Sequence, residues 1–216
     1  MATRSNIVEL RNLLAERFPQ ARIAPQSRLA TGIPPLDEAV GGGLPKGAIT
    51  ELTSPNVSAG TALLIARLLE TAHQERFFLA LIDGRDSFDP QPLGNARLRN
   101  LLWVRCRKTA DAVKAADLLL RDGNFPIVVL DLVLNAAEEL RKIPQTSWYR
   151  LQRLVEPVPT AFLVLTRRSI ISSAQTKLVL ANSWRLTDLQ QRNNLTRLQI
   201  HVQRVQGRRQ EATGTA

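Results

Sequence analysis

Residues 31–70 read TGIPPLDEAVGGGLPKGAITELTSPNVSAGTALLIARLLE. A Pro-rich lead-in and the Gly41-Gly42-Gly43 turn come first, then a second turn at Pro45-Lys46-Gly47. An apolar strand is predicted at 48–52, a polar loop at 53–60, and a helix from Thr61. Strand, small-residue loop and helix N-terminus, in that order, make a phosphate loop. A working loop reads G-x-x-x-x-G-K-[ST], because its backbone N–H groups and a lysine surround the phosphates. Here the eight positions are Ser54-Pro55-Asn56-Val57-Ser58-Ala59-Gly60-Thr61. Ser54 and Ala59 replace the two glycines, and Gly60 stands where the lysine belongs. The frame is kept and the charge is lost.

The run ATGIPPLDEAVGGGLPKGAITEL, residues 30–52, resembles the region leading into the phosphate loop of RecA-like recombinases. The eroded loop is similar to that of RecA-like accessory proteins of bacterial mutagenesis cassettes (the ImuA type, also called SulA-like). The likeness runs from about Arg28 to about Gln206 and weakens after Pro157. It implies an α/β fold: a mostly parallel sheet flanked by helices, an N-terminal helix on a linker, and a C-terminal β-hairpin. The expected division is 1–27 helix and linker, 28–206 core, 207–216 flexible tail.

The chain has 216 residues, 44% of them hydrophobic, enough for one sizeable core without staples. Its single cysteine, Cys106, excludes an internal disulfide, and its apolar setting reads as a structural thiol. No apolar run approaches the ~18 residues of a membrane span, and the N-terminus lacks a signal core. A cytoplasmic protein is expected, with nucleoid association if it meets DNA. The formal charge is +10, and residues 101–216 hold 18 Lys/Arg against 9 Asp/Glu. A basic half fits either an anionic partner such as nucleic acid or a solvated face.

Ile7, Leu10, Leu14 and Phe18 form an apolar stripe on a predicted helix that Pro19 stops. So short a helix has to pack on something. The resemblance points to another copy or a recombinase filament end; the alternative is its own domain. Beyond the loop, strands are predicted at 77–82, 101–106, 125–130 and 160–165, and helices at 61–74, 109–121 and 147–155. Strands at 178–186 and 195–205 read as a hairpin of edge strands.

The resemblance places a water-activating glutamate just after the strand at 77–82, where this chain has Arg85. An arginine cannot accept a proton from water. Asp89, in Phe88-Asp89-Pro90, matches a family position near the nucleotide base. Asp131 ends an apolar strand as a magnesium-binding carboxylate does; the alternative is a cap or loop brace. Ser54, Ser58, Gly60, Thr61, Asp89 and Asp131 are thus the cofactor-binding candidates. No resident cofactor, metal or catalytic residue is expected, beyond weak ATP and magnesium binding at the helix N-terminus. Residues 135–148 match the first DNA-facing loop of the family. Arg167, Arg168 and Lys177 match the second, as nucleic-acid-binding candidates with no interleaved aromatic.

What the resemblance implies is a non-catalytic accessory or scaffold protein in SOS-induced error-prone translesion synthesis. Its partners would be a Y-family polymerase homologue, an error-prone replicative-type polymerase subunit, RecA, and single-stranded DNA. Two other classes stay open: a DNA-stimulated ATPase with an atypical loop, using Lys46 or Arg85 as its cation, and a cell-division inhibitor.

Overall fold

In the lead-in, Thr31 and Asp37 tie the chain together. The Asp37 carboxylate accepts the Thr31 N–H at 3.0 Å, the Thr31 hydroxyl at 2.8 Å and the Gly32 N–H at 3.2 Å. Thr31 also holds Ile33 through its hydroxyl, and its carbonyl accepts the Thr71 hydroxyl at 2.8 Å. The Thr-Gly…Leu-Asp spacing is therefore a clasp that fastens the lead-in to the helix after the loop.

The computed structural model describes residues 27–56, 59–184 and 194–205. The stripe Ile7, Leu10, Leu14 and Phe18, the linker, the tail and Ser58 lie outside the described residues. A two-stranded antiparallel pair joins β1 (Arg28–Leu29) to β2 (Leu44–Pro45) around α1 (Pro34–Ala39). Gly43 has φ 129°, and a Cβ there would lie 2.4 Å from the Leu29 carbonyl oxygen, so the turn demands glycine.

The main sheet contains β3 (Ala48–Thr53), β4 (Leu79–Asp83), β5 (Leu101–Arg105), β6 (Ile127–Asp131), β7 (Ala161–Thr166), β8 (Thr176–Leu180) and β9 (Ile200–Val205). Their order is β5-β4-β6-β7-β3-β8-β9, parallel throughout except for β9 against β8. Helices α2 (Thr61–Gln74), α3 (Gly94–Leu98), α4 (Thr109–Asp122), α5 (Ala137–Arg141) and α6 (Gln145–Val155) connect them. Alternate strand residues point to opposite faces, and helices cover both. One face packs Leu79, Leu81, Val129 and Leu163 against Leu64 and Leu68 of α2. The other packs Ala80, Ile82, Val128 and Phe162 against Ala112 and Ala116 of α4 and Trp148 of α6. At about 1.5–3 kcal/mol for each large apolar side chain removed from water, these two layers drive folding.

The α/β architecture is the expected one, with three local corrections. The first strand of the C-terminal antiparallel pair is β8, which sits inside the sheet beside β3 rather than at an edge. Its partner is shorter than expected, because residues 194–197 turn as a 3₁₀ helix before β9. Were Asp131 a helix cap, the helix would cover 132–141; it starts instead at Ala137, since the Asp131 carboxylate ties the Val133 N–H at 3.0 Å and holds the chain in a turn. Cys106 is buried and burial raises its pKa, in keeping with a structural thiol. Among the described residues, no helix is long and apolar enough to cross a membrane.

Candidate functional site

The loop and α2 follow directly from β3, so the helix N-terminus lies at the carboxyl end of the parallel strands. Strand β7 separates β3 from β6, and Asp131 ends β6 on the same edge. Thr61, Ala66, Phe88, Asp89, Asp131 and Val133 are among the residues around a cavity of about 450 Å³ there. Three cofactor-binding candidates, Thr61, Asp89 and Asp131, are thus brought together. Ser54 and Gly60 are not on that wall.

Ser54 is buried and its hydroxyl donates to the Asn56 carbonyl at 3.0 Å. Gly60 has φ 106°, and a Cβ on it would lie 2.9 Å from Trp184 Nε1 and 3.2 Å from Leu198 Cδ2. The Trp184 indole N–H donates to the Ala59 carbonyl at 3.0 Å, and the Arg197 guanidinium lies 5.2 Å from the Trp184 ring centre. The Asn56 amide donates to the Asn182 carbonyl at 3.2 Å, while the Asn182 amide donates to the Arg197 carbonyl at 2.9 Å. Asn182, Trp184 and Leu198 therefore lie against the loop, and the indole occupies the space of a lysine side chain. No local pattern flags Trp184; it meets Ala59 across 125 residues of sequence.

The turn after β4 is built on Asp83, whose carboxylate accepts the N–H groups of Arg85, Ser87 and Phe88 at 3.2, 2.8 and 2.8 Å. Asp86 pairs with Arg105, which holds its carboxyl below the usual range. Arg85 reaches Glu139 at 3.9 Å, away from the cavity. Glu139 itself accepts the Thr109 hydroxyl at 2.7 Å. Lys46 precedes β3, at the opposite end of that strand from the loop, roughly 20 Å away by strand rise. Neither Lys46 nor Arg85 is among the described residues around the cavity.

Asp131 is half-buried and accepts one hydrogen bond, from Val133. Burial pushes its pKa up to about 6, and the Asp83 carboxylate beside it in register adds to the rise. A raised carboxyl pKa means the folded state binds the proton more tightly than the unfolded one. Stability therefore falls as pH climbs from about 4 to about 6 and is flat above. Asp131→Asn keeps the acceptor for Val133 and removes the buried charge. The variant is expected to gain about 1–3 kcal/mol at neutral pH, with the gain vanishing near pH 4. Urea denaturation at the two pH values measures this.

A magnesium nucleotide does not fit this cleft. The loop has no lysine, the indole covers Gly60, and no Lys or Arg is among the described residues around the cavity. Among the described residues, no group of three or more His, Cys, Asp or Glu could hold a metal ion.

A second cavity, about 810 Å³, opens at the carboxyl ends of β3, β6 and β7. Arg141, Arg167 and Arg168 line it and, among the described residues, no carboxylate does, while Val133 and Leu134 belong to both cavities. Lys177, the third nucleic-acid candidate, lies instead on β8, 3.3 Å from the fully buried Glu51. Glu51 also accepts the N–H groups of Ile170 and Ile171 at 2.6 and 3.1 Å and the Ser169 hydroxyl at 2.8 Å. Glu51 anchors the whole turn after β7. The signal for it was one acid within the apolar stretch Ala48–Thr53.

The sequence profile of the RecA N-terminal domain matches residues 17–142. Protein RecA of Chlorobaculum parvum is 35% identical over 109 residues, 49% of this chain and 31% of that protein. Protein RecA of Frankia alni is 33% identical over 112 residues, 50% and 32% of the two chains. Protein RecA of Chlamydia abortus is 34% identical over 110 residues, 50% and 31%. The chain spans about a third of the length of these curated relatives.

Proposed function

Because the chain belongs to the RecA N-terminal domain family, we propose that it is a non-catalytic member of it, a scaffold for DNA-damage tolerance. The observation that carries this reading is the position of Trp184 over Gly60, where the loop's lysine would project. Phosphoryl transfer is catalysed by positioning and by cancelling charge on the phosphoryl oxygens. With that cation gone and Arg85 in the place of an acceptor, little catalytic power is left.

The resemblance of residues 30–52 and of the eroded loop to accessory proteins of mutagenesis cassettes extends the proposal to error-prone translesion synthesis. A Y-family polymerase homologue, a replicative-type error-prone subunit and RecA are then the partners to test. The purified protein is expected to turn over no ATP above background, with or without single-stranded DNA, and Asp131→Ala is expected to change nothing. Magnesium-dependent turnover that Asp131→Ala abolishes would overturn the reading.

The arginine-lined cavity supports direct contact with single-stranded DNA. Each phosphate neutralised on a single strand contributes about 0.7 to the slope of log affinity against log salt. Replacing Arg167 and Arg168 together by alanine is expected to reduce that slope by about 1–1.5, uniformly across sequences, in fluorescence anisotropy titrations.

A further inference from the structure

The cleft beside α2 is a formed cavity, and the charged side chains among its described residues are both acidic. It is about 450 Å³, within the range of about 300–1,000 Å³ typical of ligand pockets. Its wall is largely apolar, with Ile65, Phe88, Leu93 and Val133, and its charges are the carboxylates of Asp89 and Asp131. Asp89 spends one oxygen on the Gln91 N–H at 3.0 Å, and Asp131 one on Val133 at 3.0 Å. Among the described residues, no Lys, Arg or His lines the space.

We propose that this cleft receives an arginine or lysine side chain from a partner protein, flanked by apolar residues that fill the rest of the cavity. The inference rests on the non-catalytic reading above. Charge complementarity selects the head group, since two carboxylates with no basic side chain among the described residues of the wall favour a cation. Shape selects the stem. Arginine and lysine carry three or four methylenes that lie along apolar surface while the charged end reaches an acceptor. A guanidinium fits a carboxylate through two parallel hydrogen bonds, which favours arginine. A bare metal ion would leave the apolar wall uncovered. This places the partner's anchor beside Thr61 at the start of α2, and separates it from the arginine-lined cavity on the other side of Val133 and Leu134.

The test uses the full chain and the capped tripeptide acetyl-Leu-Arg-Leu-amide, with the neutral citrulline analogue as control, followed by backbone amide NMR. Saturable shifts are expected at Ala62, Phe88 and Val133 at millimolar peptide. The citrulline peptide, and the arginine peptide on the Asp89→Asn, Asp131→Asn variant, are each expected to bind about tenfold more weakly. Both amides keep the acceptor used by the backbone, so the variant is expected to stay folded. Absence of saturable shifts, equal binding of the two peptides, or displacement of the peptide by magnesium chloride or magnesium ATP would each overturn the proposal. Failure of the peptide while ATP turnover stays at background removes this inference and leaves the non-catalytic reading standing.

Discussion

Replacing Glu51 with alanine is expected to lower the unfolding free energy by about 3–5 kcal/mol, the usual cost of stripping one partner from a buried charge pair. The carboxylate has no solvent exposure and holds four donors: the ammonium of Lys177, the hydroxyl of Ser169, and the N–H groups of Ile170 and Ile171. Truncation strands the N–H groups of Ile170 and Ile171 beneath the turn that joins β7 to β8 and leaves Lys177 with its bond to the Ser169 hydroxyl at 2.8 Å. Two further substitutions separate the causes. Lys177→Met alone leaves the carboxylate with its three other donors and is expected to cost less. Glu51→Gln retains an acceptor for the N–H groups and is expected to fall between. Equilibrium urea denaturation gives the ranking, and limited proteolysis reads the turn directly, with new cleavage expected between Arg167 and Gln175 in the alanine variant. An alanine variant within about 0.5 kcal/mol of the parent, the scatter of ordinary surface changes, would show that the anchor is dispensable.

Restoring the lysine by Gly60→Lys is expected to destabilise the protein by about 2–4 kcal/mol and to create no ATP turnover. Two costs add. The backbone at residue 60 has φ 106°, a region that L side chains rarely adopt, worth about 1–3 kcal/mol. The new Cβ would also press on the Trp184 indole at 2.9 Å and on Leu198 at 3.2 Å. Gly60→Ala meets both costs without the charge, so most of the loss is expected in that variant too. Thermal unfolding with a coupled-enzyme ATP assay measures both outcomes, and a stable Gly60→Lys protein that hydrolyses ATP would return the chain to the enzymes.

The strands were legible because each is a continuous apolar run, the pattern of a buried parallel sheet, ended by a polar residue or turn. Helix α2 was legible to the residue, from Thr61 after a small-residue loop to Gln74. Asp131 was legible because it ends such a strand, whereas Asp89 came from the family resemblance alone; both line one cavity. What the sequence hid depends on distance along the chain. The pairing of β8 with β3 joins residues more than a hundred positions apart, and a short alternating strand reads the same inside a sheet or at its rim. Lys177 looked like a loop charge because Glu51, its partner, lies on another strand. Only the fold puts Trp184 beside Gly60.

The indole over Gly60 couples two positions. A lysine at residue 60 needs the space of Trp184, because the ring and a lysine side chain compete for it. The lysine alone meets the ring. Loss of the ring alone leaves the carbonyl of the buried Ala59 without the indole donor. On the non-catalytic reading proposed above, a loop with its cation restored is therefore expected only from the double substitution.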